Sequence, residues 1–177
     1  IEDVTNTLRT GTPEHGEGDM QPGTCWTCKS PDVPRLMHEK GIEEYYKATW
    51  STWGAEVVNP IGCADCHDPK TMNLTITRPA LIEAFQHQGK DITQATPQEM
   101  RSLVCAQCHV EYYFTKDAKY LTFPWDGGMT VEAMEEYYDK IEFSDWTHAL
   151  SKAPMLKAQH PDYEIFLLGP HSQRGLS

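Results

Sequence analysis

The chain has 177 residues, a formal net charge of −11 and only 39% hydrophobic residues. Such acidity excludes nucleic acid and a broadly anionic membrane surface as partners, and no apolar run is long enough to cross a bilayer. The apolar share is thin for a conventional core, so a further apolar body is expected to complete it.

Residues 1–24 are rich in Gly, Pro and Thr and are expected to form loop, with Arg9 a conspicuous cation there. Cys25-Trp26-Thr27-Cys28-Lys29 follows. Ser30 and Pro31 suit a helix start and Gly41 a stop. A second helix is expected from Ile42 to Trp53, ending at Gly54. Asn59 to Thr77 is expected to be loop and holds Cys63-Ala64-Asp65-Cys66-His67. Thr77 begins a short helix with Pro79 in its first turn and Gly89 at its end. Thr96-Pro97-Gln98-Glu99 reads as a capping box with Pro at its first helical position. The helix it opens is expected to carry Cys105-Ala106-Gln107-Cys108-His109 and run towards Tyr113, leaving Glu111 and Tyr112 within a turn of His109. Thr130 caps another helix, in which Val131, Met134, Tyr138 and Ile141 form an apolar face. Ser144 to Ser151 is expected to be a short helix stopped before Pro154. Pro161 keeps His160 extended, suited to presentation into a pocket. Strand signals are weak, so the fold class expected is mainly α, with long wrapping loops and little β structure in one domain.

The three C-x-x-C units carry the chemistry. In C-x-x-C-H, two thiols form thioethers with the haem vinyls and the following histidine ligates the iron. His67 and His109 occupy that slot in the second and third units; Lys29 occupies it in the first. A lysine amine titrates near ~10.4 in water and coordinates iron only when deprotonated, a change favoured by desolvation and the metal's charge. The six cysteines are consumed by the three units, leaving none for a separate disulfide. A four-thiolate zinc site would strand one unit and leave both histidines unexplained. Three haems would also supply the apolar surface that the composition lacks. Attachment of this kind implies export, yet no signal peptide is present, so the chain reads as a mature or partial segment. Taken alone, Arg9 reads as a surface charge, Glu111 as a solvated carboxylate and His160 as a hydrogen-bonded structural residue.

C-x-x-C-K followed by two C-x-x-C-H sites, with His109-Val110-Glu111-Tyr112-Tyr113 and Lys157-Ala158-Gln159-His160-Pro161, resembles the ammonia-forming cytochrome c nitrite reductases. The likeness extends through Thr7-Leu8-Arg9-Thr10-Gly11 and Phe143-Ser144-Asp145-Trp146. It implies a periplasmic enzyme with five haem c groups in the whole protein and calcium, which reduces nitrite to ammonium. By the same resemblance, Lys29 ligates the catalytic iron, and Arg9, Tyr112 and His160 serve the distal pocket. Glu111, Gln159 and the carbonyls of Tyr112 and Lys157 hold calcium, while His171 is a distal ligand to a haem bound further on. A homodimer and a cytochrome electron donor are implied as well. The family carries two further attachment sites past the equivalent of Ser177 and a histidine before the equivalent of Ile1. This sequence therefore reads as the N-terminal and central part of a larger subunit, with distal ligands of the second and third haems supplied elsewhere. The alternative is a multihaem electron carrier with every iron six-coordinate.

Overall fold

The structure, a computed structural model, describes residues 21–177; Arg9 lies outside them. It is mainly helical, as expected, and its strands are two-residue pieces. The chain forms two compact units. One holds the described residues up to Arg78 together with Phe114–Leu121, the other Pro79–Tyr113 with Thr122–Ser177.

In the first unit, a 3-10 helix spans Gly23–Cys28 and bears the first cysteine pair. Helix α1 (Asp32–Lys40) follows; the Ser30 hydroxyl accepts the Asp32 N–H at 3.0 Å, and Gly41 ends the helix at φ 88°. Val33, Leu36 and Met37, at i, i+3 and i+4, form its buried face. The helix expected over Ile42–Trp53 is instead two, α2 (Ile42–Lys47) and α3 (Trp50–Trp53). Tertiary pairing breaks it: the Ala48 carbonyl accepts Gly23 N–H at 2.7 Å, and Trp50 N–H bonds the Gln21 carbonyl at 2.7 Å. The backbones come so close that a Cβ on Gly23 would stand 2.8 Å from the Ala48 oxygen and from the Trp53 ring. Aromatic rings fill the interior. Trp26 stacks on Trp50 at 3.7 Å between centroids, Tyr45 on Trp53 at 5.3 Å, and Tyr46 meets Tyr120 edge-on at 4.6 Å. Tyr120 belongs to the tip of a hairpin formed by β1 (Tyr113–Phe114) and β2 (Leu121–Thr122).

The second unit opens with α4 (Pro79–His87), after which Gly89 turns the chain at φ 70°. The expected capping box is present: Thr96 Oγ1 accepts Glu99 N–H, and Glu99 accepts Thr96 N–H. Helix α5 (Pro97–Ala106) nevertheless stops before Cys108, so His109, Glu111 and Tyr112 are not helical. The cause is tertiary: His109 N–H still bonds the Cys105 carbonyl at 2.9 Å, but from there on backbone groups turn to the segment 163–164. The His109 carbonyl accepts Tyr163 N–H at 3.1 Å, and Glu111 N–H goes to Glu164 Oε1 at 2.9 Å.

Thr130 caps α6 (Val131–Lys140) as expected, but only Met134 and Tyr138 of the anticipated stripe are buried. Val131 is 57% exposed and Ile141 40%. The helix expected at Ser144–Ser151 is a hairpin: β3 (Trp146–Thr147) pairs antiparallel with β4 (Pro154–Met155), Trp146 opposite Met155. A turn with Lys152 at φ 60° joins them, and the Asp145 and His148 N–H groups bond Met155 and Ala153 carbonyls at 2.9 Å. Pairing across the turn thus satisfies the backbone that a helix would have satisfied locally. Helices α7 (Asp162–Leu168) and α8 (Pro170–Gln173) complete the unit, around a core that includes Leu81, Phe85, Leu103, Val110, Phe123 and Trp125.

Candidate haem-attachment and cation sites

No disulfide joins the six cysteines, of which Cys63 and Cys105 are the exposed members. The histidine after the second and the third C-x-x-C is already oriented. His67 Nδ1 lies 2.7 Å from the Met72 carbonyl oxygen. A carbonyl only accepts, so Nδ1 bears the proton and Nε2 is left to a metal. Met72 reaches this position with φ at 62°, an uncommon conformation for a residue with a side chain. His109 repeats the arrangement with a carboxylate, its Nδ1 donating to Asp162 Oδ2 at 2.9 Å. Such outer hydrogen bonds set the tautomer and ring angle of a metal-ligating imidazole. Beside Cys105 and His109 lies a cavity of about 380 Å³ lined by Arg101, Ser102, Asp162, Tyr163, Phe166 and Ser177. Cysteine pair, oriented histidine and apolar hollow together fit a covalently held haem. At the first unit, Lys29 follows Cys28 directly and is exposed, with its backbone N–H bonded to the Trp26 carbonyl at 2.9 Å.

Glu111 anchors a second centre. It is 5% exposed; Oε1 accepts the Tyr138 hydroxyl at 3.0 Å and Oε2 the Gln159 N–H at 2.7 Å. Thus the two stretches singled out in the sequence, 109–113 and 157–161, meet. Tyr112 and His160 face each other edge-on, 5.3 Å between ring centroids. Burial raises the Glu111 carboxyl above its usual range, against the hydrogen bonds from Gln159 and Tyr138, and nearby Glu164 and Asp145 push it further up. Asp145 in turn accepts the Lys157 N–H at 2.7 Å. Two buried carboxylates, Glu111 and Glu164, with no ion pair among the described residues, create a demand for a cation.

Sequence reasoning missed Glu164. It is 2% exposed, and Oε1 accepts both Glu111 N–H at 2.9 Å and the Trp125 indole N–H at 2.8 Å. Oε2 has no partner among the described residues, and burial raises this carboxyl too. A glutamate in Asp162-Tyr163-Glu164-Ile165 looks like any first-turn acid, so only the burial reveals it. Asp162 was missed as another first-turn acid; it is exposed, and only its bond to His109 marks it.

His109, His160 and Asp162 offer three donor atoms within 4.8 Å of one another. Asp162 also orients the histidine of the third C-x-x-C-H motif, so this trio adjoins that motif. His160 Nδ1 is buried without a partner among the described residues. His171 sits exposed on α8.

Paired thiols, the oriented imidazoles that follow two of the pairs and a helical scaffold define a multihaem c-type cytochrome. The chain belongs to the cytochrome c552 family, whose model matches residues 1–177. It is 68% identical over its whole length to cytochrome c-552 of Parabacteroides distasonis, and equally so to that of Bacteroides thetaiotaomicron. It spans 36% of the length of each. Among solved structures it matches a cytochrome c nitrite reductase from Desulfovibrio desulfuricans with a TM-score of 0.85 and 36% identity, covering 99% of this chain and 41% of that one. That structure is described in terms of two calcium sites in its catalytic subunit.

Proposed function

We propose that this chain is the part of an exported, periplasmic nitrite reductase that holds its catalytic haem, and that the whole enzyme converts nitrite to ammonium with six electrons. The carrying observation is the meeting of 109–113 with 157–161 through the Gln159–Glu111 hydrogen bond, in a family member whose first attachment motif ends in lysine. On this reading Lys29 would ligate the catalytic iron, and His67 and His109 would ligate haems that relay electrons. When bound, haem c supplies the electrons and an iron to which nitrite coordinates.

The chain's own groups then handle charge and protons. Arg9 and His160 donate hydrogen bonds to the oxygens of nitrite and assist departure of the first as water. Tyr112 donates a hydrogen bond, or a hydrogen atom, later in the reduction. Glu111 and Gln159, with the Tyr112 and Lys157 carbonyls, hold calcium, which fits the buried acid cluster and fixes Tyr112 and His160 together. His171 ligates a haem carried by another part of the protein. A homodimer and a cytochrome donor complete the reading.

His160→Ala in the holoprotein tests it. Loss of one positioned donor typically costs on the order of 10²–10³ in rate. The loss is expected for nitrite and to be much smaller for hydroxylamine, which has one N–O bond left to break. Equal losses on both substrates would show His160 to be structural. Wild-type holoprotein in which every iron is six-coordinate and refuses nitrite would favour a plain electron carrier.

A further inference from the structure

Arg78 lies outside every attachment motif, yet it is 1% exposed, and a buried guanidinium must be matched donor by donor. Its partners are informative. Nε donates to the Thr27 carbonyl at 2.9 Å and Nη2 to the Ser30 carbonyl at 2.9 Å. Nη2 also pairs with Asp65 Oδ1, and Nη1 donates to the Thr77 hydroxyl. Thr27 and Ser30 bracket Cys28-Lys29. Asp65 lies between Cys63 and Cys66, and its other oxygen accepts Gly62 N–H at 2.8 Å. One planar fork therefore grips the backbone on both sides of Lys29 and the side chain inside the second attachment loop.

We infer that Arg78 is a positioning residue that fixes the Lys29 ligand and couples the first two haem-attachment loops, an inference resting on Lys29 being an iron ligand. The asymmetry between the two loops gives the reason. His67 has a rigid ring held by the Met72 carbonyl. Lys29 has a four-carbon stem, and its amine has no hydrogen bond among the described residues, so the backbone at 27–30 does the aiming. Near the end of the 3-10 helix Gly23–Cys28, the Trp26 carbonyl accepts Lys29 N–H while the Thr27 carbonyl accepts from the Arg78 guanidinium, a cation at the helix's negative end. A lysine in place of Arg78 would keep the charge and lose the fork that reaches four acceptors. A simple core ion pair would need Asp65 alone; the two carbonyls beside Lys29 make this one a clamp on the ligand loop.

The test is a cross-site effect in the haem-loaded holoprotein. Asp65→Asn alters the second motif, but by loosening Arg78 it is expected to disturb the first haem: its high-spin signal splits into more than one population and its midpoint potential shifts. Covalent haem count by intact mass stays unchanged. Arg78→Lys is expected to give the same signature, more strongly. A first-haem spectrum and potential unchanged in Asp65→Asn, with only the second haem or the melting temperature affected, would reduce Arg78 to a structural ion pair. Should Asp65→Asn fail to accumulate, Asp65→Glu, which displaces the carboxylate by one methylene, replaces it under the same two outcomes. Failure of the Lys29 assignment looks different, since the unmodified protein would then show no high-spin haem at all.

Discussion

Replacing Glu164 by leucine and by glutamine separates a packing role from a hydrogen-bonding one. Both substitutes approximate the volume of glutamate, so cavity effects are small. Leucine removes the acceptor of two buried donors, the Glu111 N–H at 2.9 Å and the Trp125 indole N–H at 2.8 Å. Each donor left unpaired costs about 1–3 kcal/mol, so Glu164→Leu should lose about 2–6 kcal/mol. That is a large fraction of the ~5–15 kcal/mol that typically separates folded from unfolded protein. Glutamine keeps one carbonyl oxygen for both donors and exchanges a charged acceptor for a neutral one, a loss of about 1 kcal/mol. Urea unfolding of the holoprotein, followed by far-ultraviolet circular dichroism, reads the difference as a shift in midpoint at constant slope. Because Glu111 is one of the two residues whose N–H groups are lost or strained, the leucine variant should also bind calcium more weakly. Midpoints for leucine and glutamine that coincide, or a leucine variant within about 0.5 kcal/mol of wild type, would show that the buried pairings contribute nothing and refute the reasoning.

Lys29→His should leave the haem attached, convert its spin state and depress nitrite turnover; an unchanged high-spin spectrum and rate would exclude lysine ligation. Removing calcium by chelation should lower the melting temperature and nitrite turnover together, with Glu111→Gln reproducing both losses and no longer responding to the chelator. Asp32 is only slightly buried, which pushes its carboxyl up, but the N–H groups of Asn59 and Val58 and the side chains of Asn59 and Ser30 outweigh this and hold it below its usual value. A depressed carboxyl stabilises the fold at pH above its unfolded value of ~3.9 and ceases to as pH falls through the folded value. The stability gap between wild type and Asp32→Ala should therefore be constant near neutrality and close only in acid; a gap that widens on acidification would contradict the assignment.

The attachment motifs and the helix caps at Thr96 and Thr130 were legible in the sequence, because each rests on spacing or on a local hydrogen bond; the meeting of 109–113 with 157–161 was implied only by the family resemblance. The misread stretches share another character. Ile42–Trp53, the run from Ala106 to Tyr113 and Ser144–Ser151 each contain residues compatible with a helix, and in each the backbone donors and acceptors are claimed from far along the chain: Ala48 by Gly23, His109 by Tyr163, Asp145 by Met155. Propensity sums neighbours within a turn or so and contains no term for such claims.

The same physics hides the supporting residues of the site. Cysteine, histidine and lysine announce ligand chemistry by their position in the motif. The groups that aim them do not: the Met72 carbonyl is backbone, Asp162 and Glu164 sit in an ordinary acidic first turn, and Arg78 is a lone cation ahead of a proline. Each earns its role only where the fold buries it or carries it across the chain to a ligand loop. Wherever an attachment loop must hold a side chain at a fixed angle, its own residues are already committed to the cofactor, and the aiming groups must come from outside the motif. That division explains why the chemistry here reads from three short stretches while its geometry depends on residues those stretches never mention.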